Sequence, residues 1–184
     1  ITDGSGSMQL SSIQPSTSSP VYVDKTAAVF ETQAGSTIYF TEYDWVLQWM
    51  HSYAYIDYNK DGEFNTTLNA NGTNSGELVS YNQYNNKDSH GKSSSQQYAN
   101  TNTYSGSVGL PSFVLPANMT EGTYRMRIKV DWNNIDPCGA SDIRQNGGCQ
   151  VDFTIKIVPP TPERTISVVV NPVGGGVITG AGTA

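Results

Sequence analysis

The sequence predicts an all-β protein: an antiparallel β-sandwich of jelly-roll-like form with long polar loops. Three observations carry that expectation. Charged residues make up only 14% of the 184-residue chain, while Gly, Ser, Thr, Asn and Tyr abound, as in strand-rich proteins with many turns. Two long segments alternate polar and apolar residues with a period of two. Turn-forming clusters recur between the apolar runs. A chain of this length is ample to bury a sandwich core.

Residues 1–24 read as a flexible N-terminal arm, because the first twenty are rich in Ser, Gly and Pro and offer little to pack. No signal peptide is legible from Ile1 onward, and the native start is expected to have been trimmed. The folded domain is expected over residues 25–158. Strands are predicted at 26–31 and 36–41, parted by the turn Gln33-Ala34-Gly35. Residues 43–56 are the most apolar stretch, with a central strand at its end, 52–57. In the Asn-, Ser- and Tyr-rich span 65–107 only 77–81 reads clearly as strand, so ordered loops and a short edge strand are expected there. A further strand follows at 111–115. In 124–131, Arg125, Arg127, Lys129 and Asp131 fall on one face, and Tyr124, Met126, Ile128 and Val130 on the other. Residues 151–158 alternate in the same way. Pro159-Pro160-Thr161-Pro162 then opens a linker and the truncated start of a next domain, 159–184.

Charge excludes one class of partner. The formal net charge is −6 and the ten Lys and Arg are scattered, so no nucleic-acid partner is expected. No apolar run approaches the roughly 18 residues of a membrane span, so no membrane insertion is expected. The two cysteines, Cys138 and Cys149, flank a Gly-rich loop with no third Cys or His beside them. That arrangement favours a disulfide over a metal site, and with it an oxidising, extracellular location. The competing reading is two reduced cysteines buried as small hydrophobes.

The most informative motif is Asp57-Tyr58-Asn59-Lys60-Asp61-Gly62-Glu63. Oxygen-bearing side chains at positions one, three and five, with Gly at six, suit calcium, a hard cation that takes about 6–8 oxygens. Glu63 would contribute its backbone carbonyl. A helix-loop-helix hand places a bidentate Glu at position twelve, where this chain has Leu68, and the preceding segment reads as strand. The predicted site is therefore a calcium loop on a β-scaffold, completed by a carboxylate from further along, with Glu77 the candidate. A plain polar turn is the alternative.

The run Tyr55 to Phe64, then Gly76-Glu77-Leu78, then Glu121 to Arg127, resembles the GEVED-type domain. That resemblance spans roughly residues 25–158. It implies a β-sandwich accessory module of large secreted or surface multidomain proteins of bacteria, among them the Bacteroidetes, and supports Asp57, Asn59, Asp61 and Glu77 as metal-site residues. At the family's signature Gly-Glu-Val-Glu-Asp-Tyr, this chain has Gly148-Cys149-Gln150-Val151-Asp152-Phe153, keeping the Gly, the Asp and an aromatic ring. Asp152 is open to a structural or a metal-binding role. Residues 166–182 resemble the opening of a divergent internalin-type B-repeat.

No catalytic motif emerges, and the chain is expected not to be an enzyme. Its two histidines, His51 and His90, lie in no nucleophile or zinc pattern. Tyr81, Tyr84, Tyr98 and Tyr104 in the polar loops are candidates for stacking on a glycan or gripping a protein ligand, and Trp132 is open to either a packing or a binding role. Trp45 and Trp49 read as core. The expected function is a calcium-stabilised, non-catalytic accessory or binding module joined to flanking domains. A purely structural spacer beside a catalytic domain is the alternative.

Overall fold

The computed structural model describes residues 1–9, 21–40, 51–66, 76–82, 110, 112–131, 136–138 and 148–160, with backbone only for His51, Tyr81, Asn82 and Asp131. Among the described residues there are seven strands: β1 (Tyr22–Thr32), β2 (Thr37–Ile38), β3 (His51–Ile56), β4 (Leu78–Asn82), β5 (Phe113–Val114), β6 (Gly122–Asp131) and β7 (Cys149–Ile157). No helix occurs among the described residues, so none there is long and apolar enough to cross a membrane. The described residues are all-β, as the composition predicts.

Five strands form one sheet in the order β1-β7-β6-β3-β4, and β2 with β5 forms a second, antiparallel one. The alternating pattern places β6 between β3 and β7, with Met126 opposite Phe153 and Ile128 opposite Val151. One feature departs from a purely antiparallel sandwich. β1 runs parallel to β7, in register from Tyr22–Gln150 to Asp24–Asp152 and again from Val29–Thr154 to Thr32–Ile157. Between those stretches β1 bulges, with Asp24 accepting from the Thr26 amide at 2.8 Å and Thr154 donating to the Thr26 carbonyl at 2.8 Å. Parallel neighbours need a crossover, which the long chain between β1 and β7 supplies.

The main core lies between the large sheet and the β2–β5 pair. Ala54, Ile56, Met126, Ile128, Phe153 and Ile155 meet Ile38 and Leu115, and all are buried. Full burial of each large side chain stabilises by about 1.5–3 kcal/mol before chain entropy is counted. Residues 1–9, expected as part of a loose arm, are docked instead. Ile1 and Met8 pack on this core, Thr2 bridges to Tyr39, and the Thr32 hydroxyl donates to Asp3 at 2.6 Å. The linker and next-domain start (161–184) lie outside the described residues, as do Trp45 and Trp49.

Part of the opposite face of the large sheet is buried too, while Arg125, Thr154 and Lys156 on it stay partly exposed. Tyr53, Tyr55, Phe64 and Leu78 form a second apolar cluster there. Beside them lie Arg127 at 8% exposure, Lys129 at 0% and Asp152 at 1%. The middle of the β6 polar stripe, Arg127 and Lys129, is thus interior, although its alternation reads like that of a solvated face, while Arg125 stays partly exposed.

Candidate functional site

Strand β3 ends where Asp57 begins the loop, with the Asp57 amide donating to the Arg125 carbonyl at 3.0 Å. Short polar side chains then build the loop from their own backbone. Asn59 Oδ1 accepts from the Asp61 amide and Asp61 Oδ1 from the Glu63 amide, both at 2.9 Å. Asp57 Oδ2 accepts from the Gly62 amide at 3.1 Å. The first two are the turns that Asn and Asp form with the amide two residues ahead, while the Asp57 bond spans the bend from five residues back. The tight bend requires Gly62, whose φ of 91° is strained for any residue with a Cβ.

Glu77 reaches the loop, where its carboxylate meets backbone donors. Its Oε1 accepts from the Tyr58 amide at 2.6 Å and the Asn59 amide at 3.2 Å, and its Oε2 from the Asn65 amide at 2.7 Å. One carboxylate therefore ties the start of the loop to its end. Gly76 permits the approach, because a Cβ there would collide with the carbonyl of Asn65, which accepts from the Glu77 amide at 2.5 Å. Tyr58 lies in this frame, and burial, with the Glu77 charge second, pushes its hydroxyl pKa upward.

Closing the loop sets Phe64 over the polar face. Its ring lies 5.7 Å from that of Tyr55, with the guanidinium carbons of Arg125 and Arg127 at 4.8 and 5.0 Å from its centre. Arg127 grips Asp152 in a bidentate pair, Nε to Oδ1 at 2.5 Å and Nη2 to Oδ2 at 2.8 Å. Its remaining nitrogen donates to the Pro137 carbonyl at 2.8 Å. Lys129 donates to the Asp136 carbonyl at 2.5 Å and lies 5.5 Å from the Tyr53 ring centre. Asp152 is thus a structural partner of Arg127, and Tyr22 donates to it as well, at 3.3 Å.

Asp57 is 5% exposed, and its Oδ1 has no hydrogen-bond partner. A buried carboxylate oxygen without a partner is costly, and it suits a cation. Asn59, Asp61 and Glu63 are exposed on the same loop. Among the described residues, no group of three or more His, Cys, Asp or Glu side chains is placed to hold a metal. A cation here would rely on the amide oxygen of Asn59 and on backbone carbonyls beside the carboxylates.

The expected disulfide is absent: Cys138 and Cys149 are free thiols, one exposed and one buried. The cause is sheet geometry. Alternation along β7 turns Cys149 to the same face as Val151 and Phe153. Cys138 sits over the other face, where Gln150 donates to its carbonyl at 3.4 Å. Burial pushes the Cys149 thiol pKa up to about 12. Of the candidate ligand-binding residues, Tyr81 stands on β4 opposite Tyr53, with its side chain outside the described residues, and Tyr84, Tyr98, Tyr104 and Trp132 lie outside them entirely.

The residues missed in the sequence are Arg125, Arg127, Lys129 and Phe64. A signal existed: Tyr53 to Ile56 has no polar face, so the strand is buried on both sides, and the polar stripe of its neighbour had to be covered with it.

A family profile for the GEVED domain matches residues 51–156, more than half of the chain, from the first residue of β3 almost to the end of β7. That span holds the whole loop, Glu77 and the Arg127–Asp152 pair. No curated protein and no solved structure matches the chain.

Proposed function

This chain belongs to the GEVED domain family, and from that membership and the loop geometry we propose a non-catalytic, calcium-stabilised accessory module of a larger secreted or cell-surface bacterial protein. The observation that carries the calcium reading is the buried, unpartnered Oδ1 of Asp57 within a loop of further oxygens. Asp57, Asn59, Asp61 and the Glu63 carbonyl would hold the ion, with Glu77 framing the loop from outside the coordination sphere. Bound there, calcium supplies charge neutralisation and a cross-link within the loop. The module's loops then present a surface to a glycan or protein ligand.

Calcium that binds only the folded state stabilises it by about 2.7 kcal/mol at a hundredfold excess over Kd. That corresponds to a rise of roughly 5–10 °C in melting temperature for a chain of this size. Calcium is expected to raise the melting temperature over that in chelator, and Asp57→Ala to remove the increment. Identical melting curves with and without chelator would reduce the loop to a polar turn.

A second reading, a structural spacer, is favoured by the apolar clusters that the chain itself packs on both faces of the large sheet. Binding to a glycan array or to candidate protein ligands in calcium separates the two, since a spacer binds none of them. Turnover of a glycoside or peptide substrate by the isolated chain would overturn both.

A further inference from the structure

We infer that Arg125 is an internal counter-ion that holds the cation's place beside Asp57 and weakens calcium binding at the loop; the inference rests on the calcium reading above. The two neighbouring arginines of β6 differ in how they meet carboxylates. Arg127 makes two short hydrogen bonds to Asp152. Arg125 makes none to either carboxylate within its reach. Its Nη2 lies 3.9 Å from Asp57 Oδ2, its Nε lies 4.0 Å from Asp152 Oδ2, and that Nε has no hydrogen-bond partner. What it does hold is the loop itself: Nη2 donates to the carbonyl of Gly62, and the guanidinium stacks on Phe64.

The Arg125 charge is therefore shared between Asp57 and Asp152 while leaving Asp57 Oδ1 unsatisfied. It offsets the Asp57 charge from the Oδ2 side, where Gly62 also donates. A divalent ion on Oδ1 would then share the Asp57 carboxylate with a positive charge already on its Oδ2 side. Like charges on one carboxylate repel substantially even near a protein surface. With its side chain 32% exposed, Arg125 has room to yield, so the two cations compete without one excluding the other. Lys60, the loop's own cation, places its ammonium 4.1 Å from the centre of the Tyr124 ring.

The test is calorimetric titration of calcium into the 184-residue chain and its Arg125→Gln and Arg125→Lys variants, with melting in chelator as the check on folding. Arg125→Gln is expected to bind calcium about tenfold tighter, and Arg125→Lys to stay within about threefold of the parent, because it keeps the charge. Binding by Arg125→Gln alone would support the inference as well. If the parent binds and Arg125→Gln binds equally or more weakly, the inference fails and the calcium reading stands. If no form binds, both fail. Should Arg125→Gln not fold, the Arg125 Nε–H resonance of the parent decides: it is expected to shift on adding calcium, and an unmoved resonance overturns the inference.

Discussion

One face of the five-stranded sheet buries Met126, Ile128, Phe153 and Ile155; the other buries Arg127, Lys129 and Asp152 to a similar depth. The two interiors obey different rules. Apolar packing is non-directional and scales with the area removed from water, so swaps of similar volume are tolerated. Buried charges gain stability only through geometry, because each must replace its lost hydration with a placed partner. On this second face the partners are a carboxylate, backbone carbonyls of the 136–138 turn, and the rings of Phe64, Tyr53 and Tyr22. The same sheet thus carries one forgiving interior and one exacting one.

That contrast predicts an asymmetry in mutational cost. Asp152→Ala strands the Arg127 guanidinium and is expected to cost about 3–5 kcal/mol in urea unfolding. Its neighbour across the sheet, Phe153→Leu, is expected to cost less than about 1.5 kcal/mol. Replacing the pair together, Arg127→Met with Asp152→Leu, is expected to restore most of the loss. A milder effect for Asp152→Ala than for Phe153→Leu would collapse the distinction between the faces.

A smaller effect is expected at the frame that closes Phe64 onto the polar face. Glu77→Gln keeps one acceptor oxygen but turns an amide N–H₂ toward a backbone donor, for a loss of about 1–3 kcal/mol. Hydrogen exchange should quicken at the Tyr58, Asn59 and Asn65 amides while that of Met126, in the centre of β6, changes little. Equal acceleration at all four would show that Glu77 supports the whole domain and not the loop.

The thiols sharpen the comparison at no cost in stability. With its pKa pushed up to about 12 by burial, Cys149 stays a neutral, enclosed thiol at pH 8, whereas Cys138 is exposed. A thiol reagent is expected to label one cysteine in the native chain and two after denaturation. No labelling in either state would indicate a bridge and break the assignment of the cysteines to opposite faces.

Much of this was legible beforehand for local reasons. Each of the seven described strands overlaps a segment that alternates or runs apolar between turn residues, although β1 starts four residues earlier than predicted and β2 is only two residues near the start of its predicted stretch. The loop from Asp57 to Glu63 was legible because its turns are made by side chains two residues from the amides they bind. Glu77 was legible as a partner of that loop, but the amides it accepts from were not, since a sequence does not record which donors a carboxylate meets. The cysteine pair was misread because spacing along the chain does not reveal which side of a sheet a turn lies on.

Sequence alone therefore determined the all-β class, the strand segments and the polar chemistry of the loop, all of which rest on the two-residue period of a strand and the short reach of Asn and Asp. Tertiary structure decided three further matters: that β1 runs parallel to β7, that Arg127 and Lys129 of the β6 polar stripe are interior, and that Arg125 stands between Asp57 and Asp152. The physical reason is common to all three. Alternation divides a strand's residues between two faces, but strand direction and the covering of each face depend on contacts between segments far apart in the chain.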